Sequence, residues 1–212
     1  MDGKLRRHFE NALAEVDERR TRGPRLVDDA QRLFARVQKF ISLKLIANEP
    51  DLEALELACW AMQLPQKQTA ATVGKLARSS VKQRAEQSAE LLVTLLSDHA
   101  EEDVLDRTTR LLLESPQRQP MIEEARLLGD AISLEDFGLT GLTTLMIQLA
   151  LQGNGVNQLI ESYEKRDAYG YWDARLKEGF HFNAVRAMAK KRLEHARSAA
   201  AALMAEVKDD QP

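Results

Sequence analysis

A single cysteine, Cys59, leaves this chain without an intrachain disulfide or a multi-cysteine zinc cluster. Its surroundings, Leu57-Ala58-Cys59-Trp60, are apolar and offer no acid–base partner, so it reads as a small core residue and not as a reactive thiol. No uninterrupted apolar run approaches the ~18 residues of a membrane span. The opening residues, Met1-Asp2-Gly3-Lys4-Leu5-Arg6-Arg7-His8, lack the apolar stretch of a secretory signal. A cytoplasmic setting with no membrane partner is therefore expected. Charge of one sign is scarce as well: 30 Lys and Arg stand against 33 Asp and Glu, a net charge of −3 that calls for no nucleic-acid partner. Sustained strand-like alternation, internal repeats and low-complexity tracts are missing. There is no P-loop and no Gly-x-Ser-x-Gly elbow. Gly153-Asn154-Gly155 is too short for a dinucleotide loop and follows a helical stretch, not a strand.

What the chain does have is helical periodicity. Of its 212 residues 44% are hydrophobic and 30% charged, a globular balance and long enough to bury one sizeable core. The expected fold is all-α. Leu5, Phe9, Leu13 and Val16 form a narrow stripe in a first helix over 2–21, suited to the outside of a core. After Gly23-Pro24, the residues Leu26, Ala30, Leu33, Val37, Phe40, Ile41 and Leu45 recur at helical spacing. A third helix follows Pro50 and stops near Pro65. Residues 66–80 read as a loop or short helix. Further helices are expected over 81–97, from Asp103 to Ser115, over 120–132 and over 142–151, the last bracketed by Gly138, Gly141 and Gly153-Asn154-Gly155. All three tyrosines, a tryptophan and two phenylalanines fall within 156–182, and a final helix starts near Asn183, with a frayed tail after Lys208. The expected division is an N-terminal helix at 1–22, one helical core at 25–170, and an aromatic segment with the last helix at 171–212.

Candidate chemistry is sparse. No two of the four histidines, His8, His99, His181 and His195, stand at metal-ligand spacing. His8 and His195 lie in charged helices and read as solvated, and His99 suits the negative end of a helix dipole. His181, within Gly179-Phe180-His181-Phe182, reads either as a half-buried core histidine or as a ligand contact. Most carboxylates fall on charged faces, and Glu101-Glu102-Asp103 complements a helix start. Asp130 differs: it shares a helical face with Leu127 and Leu134, so it should be buried and must find a hydrogen-bond partner, a cation or a metal.

The stretch Asp130-Ala131-Ile132-Ser133-Leu134-Glu135-Asp136-Phe137-Gly138 resembles the end of the HD-domain metal-dependent phosphohydrolase pattern, Asp-Ala-Asp-x-Leu-Asp followed by glycine. Its second aspartate stands here as Ile132 and its third as Glu135. Leu55–Pro65 looks like the helix that ends in Leu-His-Asp-Ile-Gly, which places the His-Asp pair at Met62 and Gln63. Leu33-Phe34-Ala35-Arg36-Val37 looks like the His-x-x-Arg-Val helix with its histidine at Leu33. Ser88-Ala89-Glu90-Leu91-Leu92 looks like the Ser-Ala-Glu helix, with histidine positions near Arg84 and, in the next helix, Glu114. The resemblance covers roughly 25–170 and implies an HD-like bundle whose former metal pocket is lined by Leu33, Met62, Gln63, Arg84, Glu114 and Asp130.

Of those positions only Asp130 keeps the family residue. Leu33 and Met62 cannot bind a hard divalent cation, Gln63 is a neutral and weaker oxygen donor, and Arg84 would repel a metal. The resemblance thus implies a scaffold that has lost its catalytic site, with no catalytic residue, no metal and no cofactor. In place of the metal, Arg84 or another arginine is expected to pair with Asp130. Function would then lie in binding: a protein partner or self-association, with Tyr163, Tyr169, Tyr171, Trp172 and His181 as ligand or interface residues, or a small anionic ligand near Arg84, helped by Arg175, Lys177 or Arg186. The alternative is a metal-dependent phosphohydrolase with relocated ligands drawn from Asp130, Glu114 and His99 or His181.

Overall fold

The computed structural model of the chain describes residues 1–16, 22–23, 25–67 and 80–209. The fold is all-helical. The one extended pairing among these residues joins Glu15–Val16 to Arg22–Gly23, two residues a side. No described helix is long and apolar enough to cross a membrane. The chain divides into two compact units, Met1–Ala131 and Ile132–Pro212. This division differs from the expected boundaries near 25 and 170. It falls inside a helix, and Gly129, two residues before it, is buried within that helix and does not end it.

In the first unit, helix α1 (Gly3–Leu13) starts where the Asp2 carboxylate accepts the backbone N–H groups of Lys4 at 2.6 Å and Leu5 at 2.8 Å. Those two donors hold the Asp2 pKa below its ordinary value. Leu5, Phe9 and Leu13 are buried as their spacing predicts. The helix does not run on to residue 21, as the stripe suggested: Ala14 leaves helical geometry and the chain enters the short extended pair at Glu15. Helix α2 (Arg25–Ser42) buries Leu26, Ala30, Leu33, Val37 and Phe40 along one face, with Arg36 among them. It stops short of the expected Leu45, at a turn in which Lys44 takes a left-handed φ of 53°.

Helix α3 (Leu52–Ala61) is capped by Asp51, whose side chain accepts from Ala54 N–H at 2.9 Å. Every residue from Ala54 to Ala61 is buried, Cys59 and Trp60 included, so α3 forms the centre of this unit. It packs against α2, helix α4 (Val81–Leu96) and helix α5 (Glu102–Glu114), and Phe9 of α1 lies 5.9 Å from the Trp60 ring. A 3-10 turn, Leu64–Lys67, follows α3. The expected loop or short helix at 66–80 lies almost wholly outside the described residues. Ser80 and Gln83 form a capping box at the start of α4. Helix α6 (Glu123–Ser133) is joined to α5 through Arg107 and Glu124 at 2.7 Å.

The second unit comprises a 3-10 turn, Leu134–Asp136, and helices α7 (Gly138–Leu151), α8 (Val156–Ala168), α9 (Tyr171–Glu178) and α10 (Asn183–Asp209). The long helix α10 packs along α7 and also meets α8 and α9, burying Val185, Ala189, Leu193, Ala196 and Ala200. Of the expected frayed tail, Lys208 and Asp209 are helical and 210–212 lie outside the described residues. Phe137 sits in the core with Trp172 and Phe180 each 5.4 Å away, ring centre to ring centre. Helix α7 begins four residues earlier than the glycines suggested, because Gly141 lies inside it against the preceding turn. A Cβ there would come within 2.2 Å of the Asp136 carbonyl oxygen.

Candidate functional site

The residues of the supposed former metal pocket belong to the first unit, and its core explains most of them. Leu33 on α2 and Met62 at the end of α3 are buried apolar side chains. Gln63 is buried as well, and its side-chain carbonyl accepts from Gln66 Nε2 at 2.7 Å, which ties the amide to its own turn. Glu114, at the end of α5, accepts the backbone N–H groups of Met121 at 2.7 Å and Ile122 at 2.9 Å. That carboxylate therefore anchors the connection leading into α6. Arg84 on α4 is half-buried, and its Nε is buried without a hydrogen-bond partner among the described residues.

Asp130 is fully buried in α6, as its apolar neighbours predicted. Arg36 of α2, outside the inferred pocket positions, is brought to this turn of helix. Arg36 is only 7% exposed and donates from Nη1 to the Ala131 carbonyl at 2.7 Å. Its signal was present in the sequence: it follows Leu33 by three residues and precedes Phe40 by four, on the apolar face of α2, where a charge has to be paired.

The relocated-ligand alternative needs imidazoles beside these carboxylates. His99 instead stacks on His8 of α1, with ring centres 4.1 Å apart and planes inclined by 23°. His181 is half-buried in the second unit. Among the described residues, no three His, Cys, Asp or Glu side chains come together as metal ligands do.

In the second unit the aromatic residues form a cluster around Trp172. Tyr163 lies 5.7 Å from it, and Tyr171 meets it edge-on at 5.0 Å. Tyr163 and Trp172 are 4% and 3% exposed, Tyr171 is half-exposed, and Tyr169 stands in solvent. The Arg166 guanidinium lies over this cluster, 5.4 Å from the centre of the Tyr171 ring and 5.9 Å from that of Trp172. Tyr163 and Trp172 form part of the wall of a shallow cleft, together with Arg166, Leu142 and Leu145. The Tyr163 hydroxyl and the Trp172 Nε1 are both buried without a hydrogen-bond partner among the described residues. Burial, with the negative charge of Asp167 adding to it and Arg197 opposing it, pushes the Tyr163 hydroxyl above its ordinary pKa. Arg175 pairs with Asp136 at 2.9 Å, and Arg186 donates to the Phe180 carbonyl at 2.8 Å, so both cations serve contacts within this unit.

No family model, curated protein or solved structure matches this chain.

Proposed function

We propose that this protein is a catalytically inactive, HD-domain-like helical protein that acts by binding, and that its partner is a second copy of itself engaged through α7. Support for the inactive reading is the chemistry of the inferred ligand positions: one buried carboxylate, with an alkyl group, a thioether and an amide where a metal would need imidazoles and a second acid. The observation that carries the binding reading is α7. This helix has no charged residue, yet Leu139, Ile147 and Leu151 are 54%, 37% and 51% exposed. With Thr143 they fall at i, i+4, i+8 and i+12, one continuous ridge. The Thr143 hydroxyl donates to the Leu139 carbonyl at 2.8 Å, so it does not make the ridge hydrophilic. Single exposed apolar residues need no explanation, but a contiguous ridge does.

A second copy fits this surface because a twofold interface sets each patch against itself. A charge beside the axis would meet its like across it, and α7 carries none. Sedimentation velocity over a range of concentrations is the test. A reversible dimer is expected, and Ile147→Glu, which plants a charge in the ridge, should give monomer at concentrations where the parent is dimeric. A chain that stays monomeric throughout, or a dimer indifferent to Ile147→Glu, refutes the α7 interface. The inactive reading is tested separately, by elemental analysis of protein purified without chelator and by phosphoester assays with manganese, cobalt, nickel and magnesium. Stoichiometric metal, or turnover abolished by Asp130→Asn, would overturn it in favour of the relocated-ligand enzyme.

A further inference from the structure

The geometry points to a binding site in the second unit, in the cleft walled by Tyr163, Arg166, Trp172, Leu142 and Leu145, for a small carboxylate with an apolar body. Two independent features lead there. The first is unmet hydrogen bonding. Tyr163 and Trp172 are more than nine-tenths buried, yet the hydroxyl and the indole N–H have no partner among the described residues. Leaving two such groups unpaired costs stability that an apolar side chain of the same shape would not cost. The second is the donor balance of the walls. The indole Nε1 and the Arg166 guanidinium can only donate. The Tyr163 hydroxyl is protonated at neutral pH and able to donate. The one acidic wall residue, Asp136, is offset by its pair with Arg175. Donors left without acceptors on residues that wall a cleft ask for an acceptor there, and a guanidinium favours an anionic one.

The remaining lining, Gly138, Gly141, Leu193 and Ala196 among it, is small or apolar. It suits a short hydrocarbon or a single ring better than a sugar or a nucleotide. As it stands the cleft has room for about one water, some 10 Å³ for the centre of a water-sized sphere. The ligand is therefore small and widens the cleft on entry. The half-exposed Leu142 and Arg166 are the walls free to give way.

This site does not depend on self-association. The cleft-facing residues of α7, Gly138, Leu142 and Leu145, lie on the side away from the Leu139–Ile147–Leu151 ridge, so Ile147→Glu should retain the cleft. The test is isothermal titration of the full chain, and of Ile147→Glu, with benzoate and hexanoate as probes. Benzyl alcohol and inorganic phosphate serve as controls for the ring alone and the anion alone. Saturable binding of at least one carboxylate is expected, at least ten-fold tighter than either control. Tyr163→Phe and Arg166→Gln should each weaken it several-fold. Tyr163→Phe should leave the thermal midpoint unchanged or raise it, because it removes only an unpaired hydroxyl. That result separates a ligand contact from a structural one. No saturable carboxylate binding, equal binding of either control, or a Tyr163→Phe variant that binds as the parent does would each overturn the assignment.

Discussion

Arg36 and Asp130 are both withdrawn from water in the first unit, and the guanidinium of one reaches the carbonyl next in the chain to the other. Removing either should strand buried polarity. Asp130→Ala is expected to cost about 3–5 kcal/mol if it leaves a buried cation uncompensated. Arg36→Met should cost about 1.5–3 kcal/mol through the lost charge-assisted bond to Ala131. Because the two act on the same turn, the double variant should lose less than the sum, which urea midpoints of all four proteins will read; simple additivity would show that they are independent. Tyr163 supplies the pH dependence. Its pKa is raised by burial and by Asp167, so the folded chain holds this proton more tightly than the unfolded chain does. Its contribution is therefore intact below the ordinary tyrosine value of about 10 and is lost as pH climbs past it. Thermal midpoints across the alkaline range should fall less steeply for Tyr163→Phe than for the parent. At this scale the sequence was informative wherever a charge interrupted an apolar face: Asp130 was legible for that reason, and Arg36 could have been found by the same rule. The unpaired atoms of Tyr163 and Trp172 were not legible, since composition gives burial but not the partners a side chain fails to meet.

Helix bodies followed from apolar spacing, but their ends were set by neighbours. The starts of α3 and α4 fall where Pro50 and the apolar register from residue 81 put them, and Asp51 and Ser80 cap them. The end of α1 was not readable, because it depends on an extended pairing with Arg22–Gly23 that no local pattern announces. Helix α7 misled for a related reason. Its glycines suggested a boundary, whereas Gly141 is there to let the helix lie against the Asp136 carbonyl. Gly141→Ala should therefore cost more than a helical alanine returns: roughly 1–3 kcal/mol of destabilisation by forced displacement, against the ~1 kcal/mol of propensity that alanine gains over glycine. Chemical denaturation of this variant should show a lower midpoint. A raised midpoint would mean that the turn at Leu134–Asp136 yields without strain. The supposed pocket was legible only as a set of positions: Glu114 and Gln63 turned out to be engaged by Met121, Ile122 and Gln66, partners that lie beyond any motif.

At the scale of the molecule, all-α architecture followed from the missing strand alternation and the abundant helical stripes. The division at Ala131 did not, because an uninterrupted helix carries the chain across it. That division has a practical consequence. The chain has two tryptophans, and one falls in each unit: Trp60 at the centre of the first and Trp172 in the aromatic cluster of the second. Nature has in effect wired a separate fluorescent gauge into each half. Trp60→Phe leaves a protein whose emission reports only the second unit, and Trp172→Phe one that reports only the first. The second unit has fewer residues and leaves a flank of α7 in water, so its gauge should register at lower urea. A circular-dichroism trace of the parent should then span both transitions, and two gauges that move together in urea would make the whole chain a single cooperative body.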